Sequence, residues 1–222
     1  MSESPRRYPS TVARSSRNEL RHRIVLSARM LFRTKGLRAV TMTDVAAAAG
    51  CTRQTVYKVF FDRRELVLAS SIERIIEIAD AAALDDAVSG NLFAESFVEL
   101  SVRVIESLRN DRELSDLWGK GSPVTAHEAL WAPELIERAL RFWRPWLDFG
   151  RSHRLLRDDL ANRDLADWLH TVYASIILRR NIPRREERAM IERFVLTSLT
   201  MASGATGLDT IAGNAQHVFN AK

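Results

Sequence analysis

Apolar residues recur along most of this chain at spacings of three and four, the repeat of an α-helix buried on one side. From Asn18, the positions Leu20, Ile24, Ala28, Leu31 and Phe32 fall on one face, with Asn18 as the expected N-cap and Gly36 as the stop. Two short patterns follow within TMTDVAAAAGCTRQTVYKVF, from Thr41 to Phe60. Asp62 is the expected cap of a longer helix lined by Leu66, Ala69, Ile72, Ile76 and Ala79. Phe93, Phe97, Leu100, Val104 and Leu108 make the next stripe, and Leu114 to Trp118 a short piece ended by the GKGSP loop. Leu130 to Phe142 is again amphipathic. Pro145 predicts a kink or a fresh helix start, because a proline inside a helix removes a hydrogen bond, and Gly150 predicts a stop. Asp164 to Arg180 carries Leu165, Leu169, Val172, Tyr173 and Ile176, and Pro183 opens a last long helix to about Ala202. No segment alternates as a strand does, so the expected fold is all-α. The expected organisation is a mobile basic arm over 1–17, a first domain over 18–64, a helical body over 65–204 and a weakly structured tail over 205–222.

The two short patterns form a helix–turn–helix. The Thr41 hydroxyl is placed to accept a backbone hydrogen bond, and Asp44, three residues on, to return one, so the first helix begins at Met42. Val45, Ala46 and Ala49 give it a small apolar face that a partner helix can approach closely. Gly50 ends it, since a left-handed backbone costs glycine no steric penalty. Cys51 follows as a small plug, and Thr52 caps a second helix from Arg53 to about Val59, with Val56 and Phe60 turned inward. Pieces this short are not stable alone; packing on Leu31 and Phe32 is expected to hold them. The polar surplus of the second helix then has a use. Arg53, Gln54 and Thr55 sit where a recognition helix meets base edges in the major groove, while Tyr57, Lys58 and Arg63 suit phosphate. Thr41, Thr43 and Thr52 complete the candidate DNA contacts. A generic helical hairpin with a solvated face is the simpler alternative; the cap, the small face and the glycine turn together weigh against it.

Charge sharpens this picture. Residues 1–64 hold 14 Lys and Arg against 4 Asp and Glu, whereas residues 65–222 hold 19 against 24. One end is therefore built to face a polyanion, or carries a solvated basic surface. The 222 residues, 46% hydrophobic and 27% charged, describe a folded protein, and 9 Gly with 6 Pro are few for a turn-rich β fold. A single cysteine, Cys51, precludes an intrachain disulfide and fits a reducing cytoplasm. No apolar run reaches the roughly 20 residues of a membrane span. The Arg6-Arg7 pair lacks the apolar stretch of a twin-arginine export signal.

Residues 24–66 resemble the N-terminal domain of the tetracycline-repressor (TetR) family of bacterial regulators. The matching pieces are I..SA..LF...G from Ile24 to Gly36, TMTDVAAAAGCT from Thr41 to Thr52 and Y..F..R.EL from Tyr57 to Leu66, about a fifth of the chain. The resemblance implies an all-helical homodimer on an inverted-repeat operator in double-stranded DNA, with a body that binds a small-molecule effector. It implies phosphate contacts at Thr41 and Tyr57 and base readers at Arg53, Gln54 and Thr55. Arg63 stands where the family often has a phosphate-binding lysine. Val59 replaces a frequent histidine and cannot contact phosphate; Cys51 replaces a valine. The resemblance also implies that the last two long helices pair across the two-fold axis, with Leu169, Val172 and Ile176 on one and Met190, Phe194 and Met201 on the other. The last helix is apolar on more than one face, which a second subunit or the centre of a monomeric bundle would satisfy.

The body is rich in aromatics. Phe97, Trp118, Trp131, Trp143, Trp146 and Tyr173, with Arg103 and His127 to orient a polar group, are the candidate effector pocket; ordinary core packing is the alternative. The five histidines are scattered, no zinc-ligand spacing occurs, and P-loop, GxGxxG and GxSxG motifs are absent, so no metal, cofactor or catalytic site is expected. An architectural DNA binder without an effector is the competing reading, and a helical small-molecule enzyme a more distant one.

Overall fold

The computed structural model describes residues 11–83, 93–179 and 181–200, and these form helices without strands. The helices are α1 (Thr11–Lys35), α2 (Met42–Ala48), α3 (Arg53–Val59), α4 (Arg63–Ala83), α5 (Phe93–Asn110), α6 (Arg112–Leu117), α7 (Ala126–Leu130), α8 (Pro133–Ser152), α9 (Asn162–Leu178) and α10 (Arg184–Met190). A 3-10 turn at Leu37–Ala39 links α1 to α2. Beyond α10 the chain continues as a π turn, Ile191–Leu196, and one α turn, Thr197–Leu199. Residues 1–10 of the arm, Met201 and the tail over 205–222 lie outside the described residues.

Several boundaries differ from expectation. α1 begins at Thr11, not at Asn18. Ser15 to Glu19 are all exposed, so nothing buried marks the helix ahead of Leu20 over that stretch. α8 runs through Pro145 instead of restarting there. Pro145 and Arg141, whose carbonyl would lose its partner, are both exposed, so water can replace the missing bond. Gly150 does not stop α8. It is buried, and a Cβ there would lie 2.6 Å from Leu156 and 3.0 Å from Phe93, so it permits close packing. In α4 the buried line is Ile72, Ile75, Ile78 and Ala82, with Ile76 and Ala79 only half-buried.

The chain divides into two bodies, which do not follow a single linear boundary near residue 64. One gathers the described residues of Met1–Asp85, Arg103–Arg138 and Tyr173–Arg180; the other those of Asp86–Val102, Ala139–Val172 and Asn181–Lys222. In the first body, α2 packs on α1 and α3, and α4 packs on α1, α6 and α7. Ile24, Val25 and Ala28 of α1, Val45 of α2, Val56 and Phe60 around α3, and Leu66 and Val67 of α4 are completely or almost completely buried. In the second body Phe93 and Phe97 pack against Trp146, and Phe97 against Trp143 at 5.2 Å between ring centres.

The first body also carries a buried ion cluster. Arg29 of α1, 6% exposed, donates to Glu77 of α4 at 2.7 Å and to Glu113 of α6 at 2.5 Å. Arg74 of α4 donates to Asp111 at 2.6 Å and to Glu77 at 3.1 Å. Asp111 also caps α6 by accepting from the Leu114 N–H at 2.8 Å. Burial would lower the Arg29 pKa, but its hydrogen bonds to Glu77 and Glu113 outweigh that and raise it. The bond from Arg29 holds the Glu77 carboxyl below its ordinary value despite partial burial. Burial pushes Asp111 up, and the bonds from Arg74 and Leu114 more than reverse it.

Breaking a buried pair from one side leaves its partner uncompensated, so Arg29→Ala is expected to cost about 3 kcal/mol in urea unfolding. The pH dependence follows in sign. Glu77 and Asp111 have folded pKa values below their unfolded ones, so their stabilisation is complete above the ordinary values of 4.5 and 3.8 and is lost as pH falls further. Wild-type stability should therefore decline on acidification more steeply than that of Arg29→Ala. Parallel acid profiles would show that the cluster contributes nothing to the linkage.

Candidate nucleic-acid interface

The first body positions two helices of seven residues each, and local bonds set both of their ends. Thr41 accepts from the Asp44 N–H at 3.2 Å while Asp44 accepts from the Thr41 N–H at 2.8 Å, a reciprocal cap that starts α2. The bond from the Thr41 hydroxyl, then that from its backbone, holds the exposed Asp44 carboxyl below its ordinary value. At the other end Gly50 adopts φ +64. The Cys51 N–H reaches the Ala46 carbonyl at 3.0 Å and the Gly50 N–H the Ala47 carbonyl at 3.2 Å. That pair of bonds is the Schellman closure, which needs a residue at ease with positive φ. Thr52 then accepts from the Thr55 N–H at 3.1 Å and opens α3. Cys51, between the helices, is half-buried and free.

With Val56 buried, the rest of α3 is turned outward. Arg53, Gln54, Tyr57 and Lys58 are exposed and Thr55 is half-buried. The Arg53 guanidinium lies over the Tyr57 ring, 5.4 Å from its centre, which restricts a long side chain before any ligand arrives. Thr41 and Thr43 are exposed on α2. The hydroxyls of Thr52 and Thr55 sit 2.8 Å apart and are partly committed to each other. Arg63 is half-buried and donates to the Leu37 carbonyl, tying the start of α4 to the 3-10 turn. Asp62 caps α4 as expected, accepting from the Glu65 N–H at 2.8 Å. The α3–α4 junction also carries Phe61, 85% exposed, which sequence periodicity does not single out because it adjoins the fully buried Phe60.

This arrangement is a rigid, basic helix face held by its neighbours, the form in which a recognition helix is presented. Residues 24–70 match the family described as "Bacterial regulatory proteins, tetR family". This N-terminal domain belongs to the tetR family. Regulators of this family bind DNA, typically as dimers with small-molecule effectors. An uncharacterised HTH-type transcriptional regulator of Mycobacterium tuberculosis is 25% identical over 193 residues, 82% of this chain and 87% of that protein. The fold is shared with the transcriptional repressor QsdR of R. erythropolis (TM-score 0.62, 18% identity, 84% of this chain and 98% of that one). It is shared also with the repressor AlkX of Dietzia, implicated in biodegradation of n-alkanes (TM-score 0.58, 23% identity, 82% and 97%).

The other candidate residues are distributed as follows. Phe97, Trp143 and Trp146 meet in the aromatic cluster of the second body. In the first body His127 stacks near Trp131, Trp118 donates to the Ser71 hydroxyl at 3.1 Å, Arg103 donates to the Ala82 carbonyl at 3.1 Å, and Tyr173 is buried. Two cavities of roughly 480 and 550 Å³ lie along α6, lined among others by Arg33, Arg112 and Asp116. None of the eight expected pocket residues lines either. Leu169 and Ile176 are 0% and 3% exposed in the single chain, so they serve its own core. Val172 and Met190 are half-buried, and Phe194 is 70% exposed. Among the described residues no group of His, Cys, Asp or Glu could hold a metal ion, and no helix is long and apolar enough to cross a membrane.

The Thr52 cap supplies the bond at the start of the reading helix. Thr52→Ala should destabilise the protein by about 1 kcal/mol, with Thr52→Ser close to wild type. Urea unfolding checks this; equal stability of all three would remove the cap from the account.

Proposed function

We propose that this tetR-family regulator is a cytoplasmic repressor that binds an inverted-repeat operator as a homodimer and is released by a small apolar or aromatic effector. The observation that carries it is the exposed row Arg53, Gln54, Tyr57 and Lys58 on a helix closed at its start by Thr52 and braced by buried Val56 and Phe60. Arg53 and Gln54 read base edges, Thr55 contributes its methyl, and Thr41, Thr43, Tyr57 and Lys58 hold phosphates. Arg63 takes part by fixing the start of α4, and reaches phosphate only if it leaves the Leu37 carbonyl.

Two copies place two recognition helices about 34–36 Å apart when they match successive major grooves. The second body supplies the pairing surface. There Trp168 is 46% exposed and donates to the Ser198 hydroxyl at 3.0 Å, and Phe194, one turn before Ser198, is 70% exposed. Val172 and Met190 extend this surface. An effector opposes DNA binding only by favouring a geometry that no longer fits the two grooves, at about 1.4 kcal/mol for each tenfold loss of affinity. The cluster of Phe97, Trp143 and Trp146 is the apolar wall such an effector would meet.

Arg53→Ala should weaken binding to a site selected from random duplexes by about 1–3 kcal/mol and relax preference at one base pair. Wild-type affinity and selectivity in that variant would sink the groove assignment. Phe194→Glu should move the protein from dimer to monomer in sedimentation and lower operator affinity with it. A dimer of undiminished strength would place the pairing surface elsewhere.

A further inference from the structure

The two cavities along α6 lie within the first body, and neither α3 nor the aromatic cluster lines them. Arg33 of α1 and Arg112 and Asp116 of α6 line both, so the two adjoin. Their chemistry differs. In the smaller one the buried acids are already engaged, Glu113 by Arg29 at 2.5 Å and Asp111 by Arg74 at 2.6 Å. The larger one, roughly 550 Å³, is lined by the cations Arg33, Lys35, Arg38, Arg112 and Lys120 and by one carboxylate, Asp116.

Those cations come from three stretches: the end of α1, the 3-10 turn, and α6 with the loop after it. Arg38 joins the stretches. Its guanidinium donates to the Lys120 carbonyl at 2.8 Å, a bond that leaves its charge unpaired. Gly121 makes room for it: the residue holds φ +85, and a Cβ there would collide with the Arg38 guanidinium. Lys35 stands 3.9 Å from Asp44, and both are exposed, so water and salt weaken that pair. Arg33, Arg112 and Lys120 are exposed, and their side chains have no partner among the described residues. Like charges gathered around one concavity raise the local concentration of an ion of the other sign.

We propose that this cleft binds a small molecule bearing a diphosphate group. Guanidinium groups donate two parallel bonds to phosphoryl oxygens, and the Lys120 ammonium adds a point charge. Two adjoining phosphoryl groups engage cations of the α1 end and of α6 at once, which a single phosphate does not. The volume lies in the range of small-molecule sites. An occupant spans the turn that joins α1 to α2 and the loop that follows α6, so binding stabilises the first body. The site is separate from the reading face of α3 and holds whether or not that face binds DNA.

The test is calorimetric titration of the full chain, without DNA, with inorganic pyrophosphate, orthophosphate and citrate at matched ionic strength. Pyrophosphate is expected to bind saturably, more tightly than the other two, and to raise the melting temperature. Arg33→Gln/Arg112→Gln should weaken it about tenfold for each guanidinium removed. Arg23→Gln/Arg144→Gln takes the same charge from exposed positions outside the cleft and should leave binding unchanged. Circular dichroism should be unaltered in both, and Lys120→Gln, in the loop, repeats the loss without touching a helix. Absence of pyrophosphate binding would overturn the proposal, and a simultaneous fall in DNA affinity of the cleft variant would make these cations a DNA surface instead. Citrate bound as tightly as pyrophosphate would overturn the diphosphate assignment. Equal weakening in the two double variants would overturn the cleft itself, since net charge alone would then attract the anion.

Discussion

Everything useful about this surface hangs on two helices of seven residues that cannot persist in water alone. Nucleating a helix fixes several backbone angles for one hydrogen bond, and pieces this short never recover that cost. The chain solves this locally and at a distance. Locally, Thr41 with Asp44 and Thr52 with Thr55 supply the bonds that helix starts lack, and Gly50 lets two amide groups close the end of α2. At a distance, Val45, Val56 and Phe60 are buried, with α2 packed on both α1 and α3 and Arg21 of α1 over the Phe60 ring. Once the inner faces are committed, Arg53, Gln54, Tyr57 and Lys58 have no choice but to face outward, so the reading surface is a by-product of how the supporting core is satisfied.

The ion cluster serves a different purpose. Replacing buried charges by apolar residues of similar volume is often neutral or stabilising, so Arg29, Glu77 and Glu113 are not there because the fold lacks hydrophobic drive. Their bonds are directional, and they join α1, α4 and α6 at one point. A slide of α4 along α1 that apolar packing would tolerate separates Arg29 from Glu77. The cluster thus fixes the register of the helix that begins at the end of the reading head. Arg64 of α4 with Glu128 of α7 adds a second tie at 2.5 Å; there the Thr125 backbone bond, then Arg64, depress the Glu128 pKa to about 2. That second pair is largely exposed, so salt screens it and it contributes far less.

What sequence reasoning reached and missed divides along sequence separation. The caps at Thr41, Thr52 and Asp62 and the turn at Gly50 are decided by residues within five positions, so a reader of the sequence can place them to the residue. Arg29 looks like any surface arginine because its partners stand 48 and 84 residues away. The early start of α1 escapes notice because Ser15 to Glu19 are all exposed, and periodicity detects burial, not helix as such. Gly150 reads as a stop until Leu156 and Phe93 are seen against it. The apolar rows of α9 and α10 are visible in sequence, yet the spacing cannot say which neighbour buries them; Leu169 and Ile176 turn inward to their own chain and Phe194 does not.

That last distinction bears on how strong the proposed two-fold contact must be. Fully burying a phenylalanine side chain contributes about 1.5–3 kcal/mol, so two copies of Phe194, each 70% exposed, yield at most about 6 kcal/mol. Association of two proteins costs an estimated 4–15 kcal/mol in lost freedom before side-chain ordering is counted. Phe194 alone therefore leaves a dimer marginal. In the proposed dimer, Trp168, steered by its bond to Ser198, together with the remaining exposure of Val172 and Met190, would have to carry the sum past that cost. The proposed dimer would then depend on Trp168 and Phe194 at once, and disturbing either would uncouple the two reading heads.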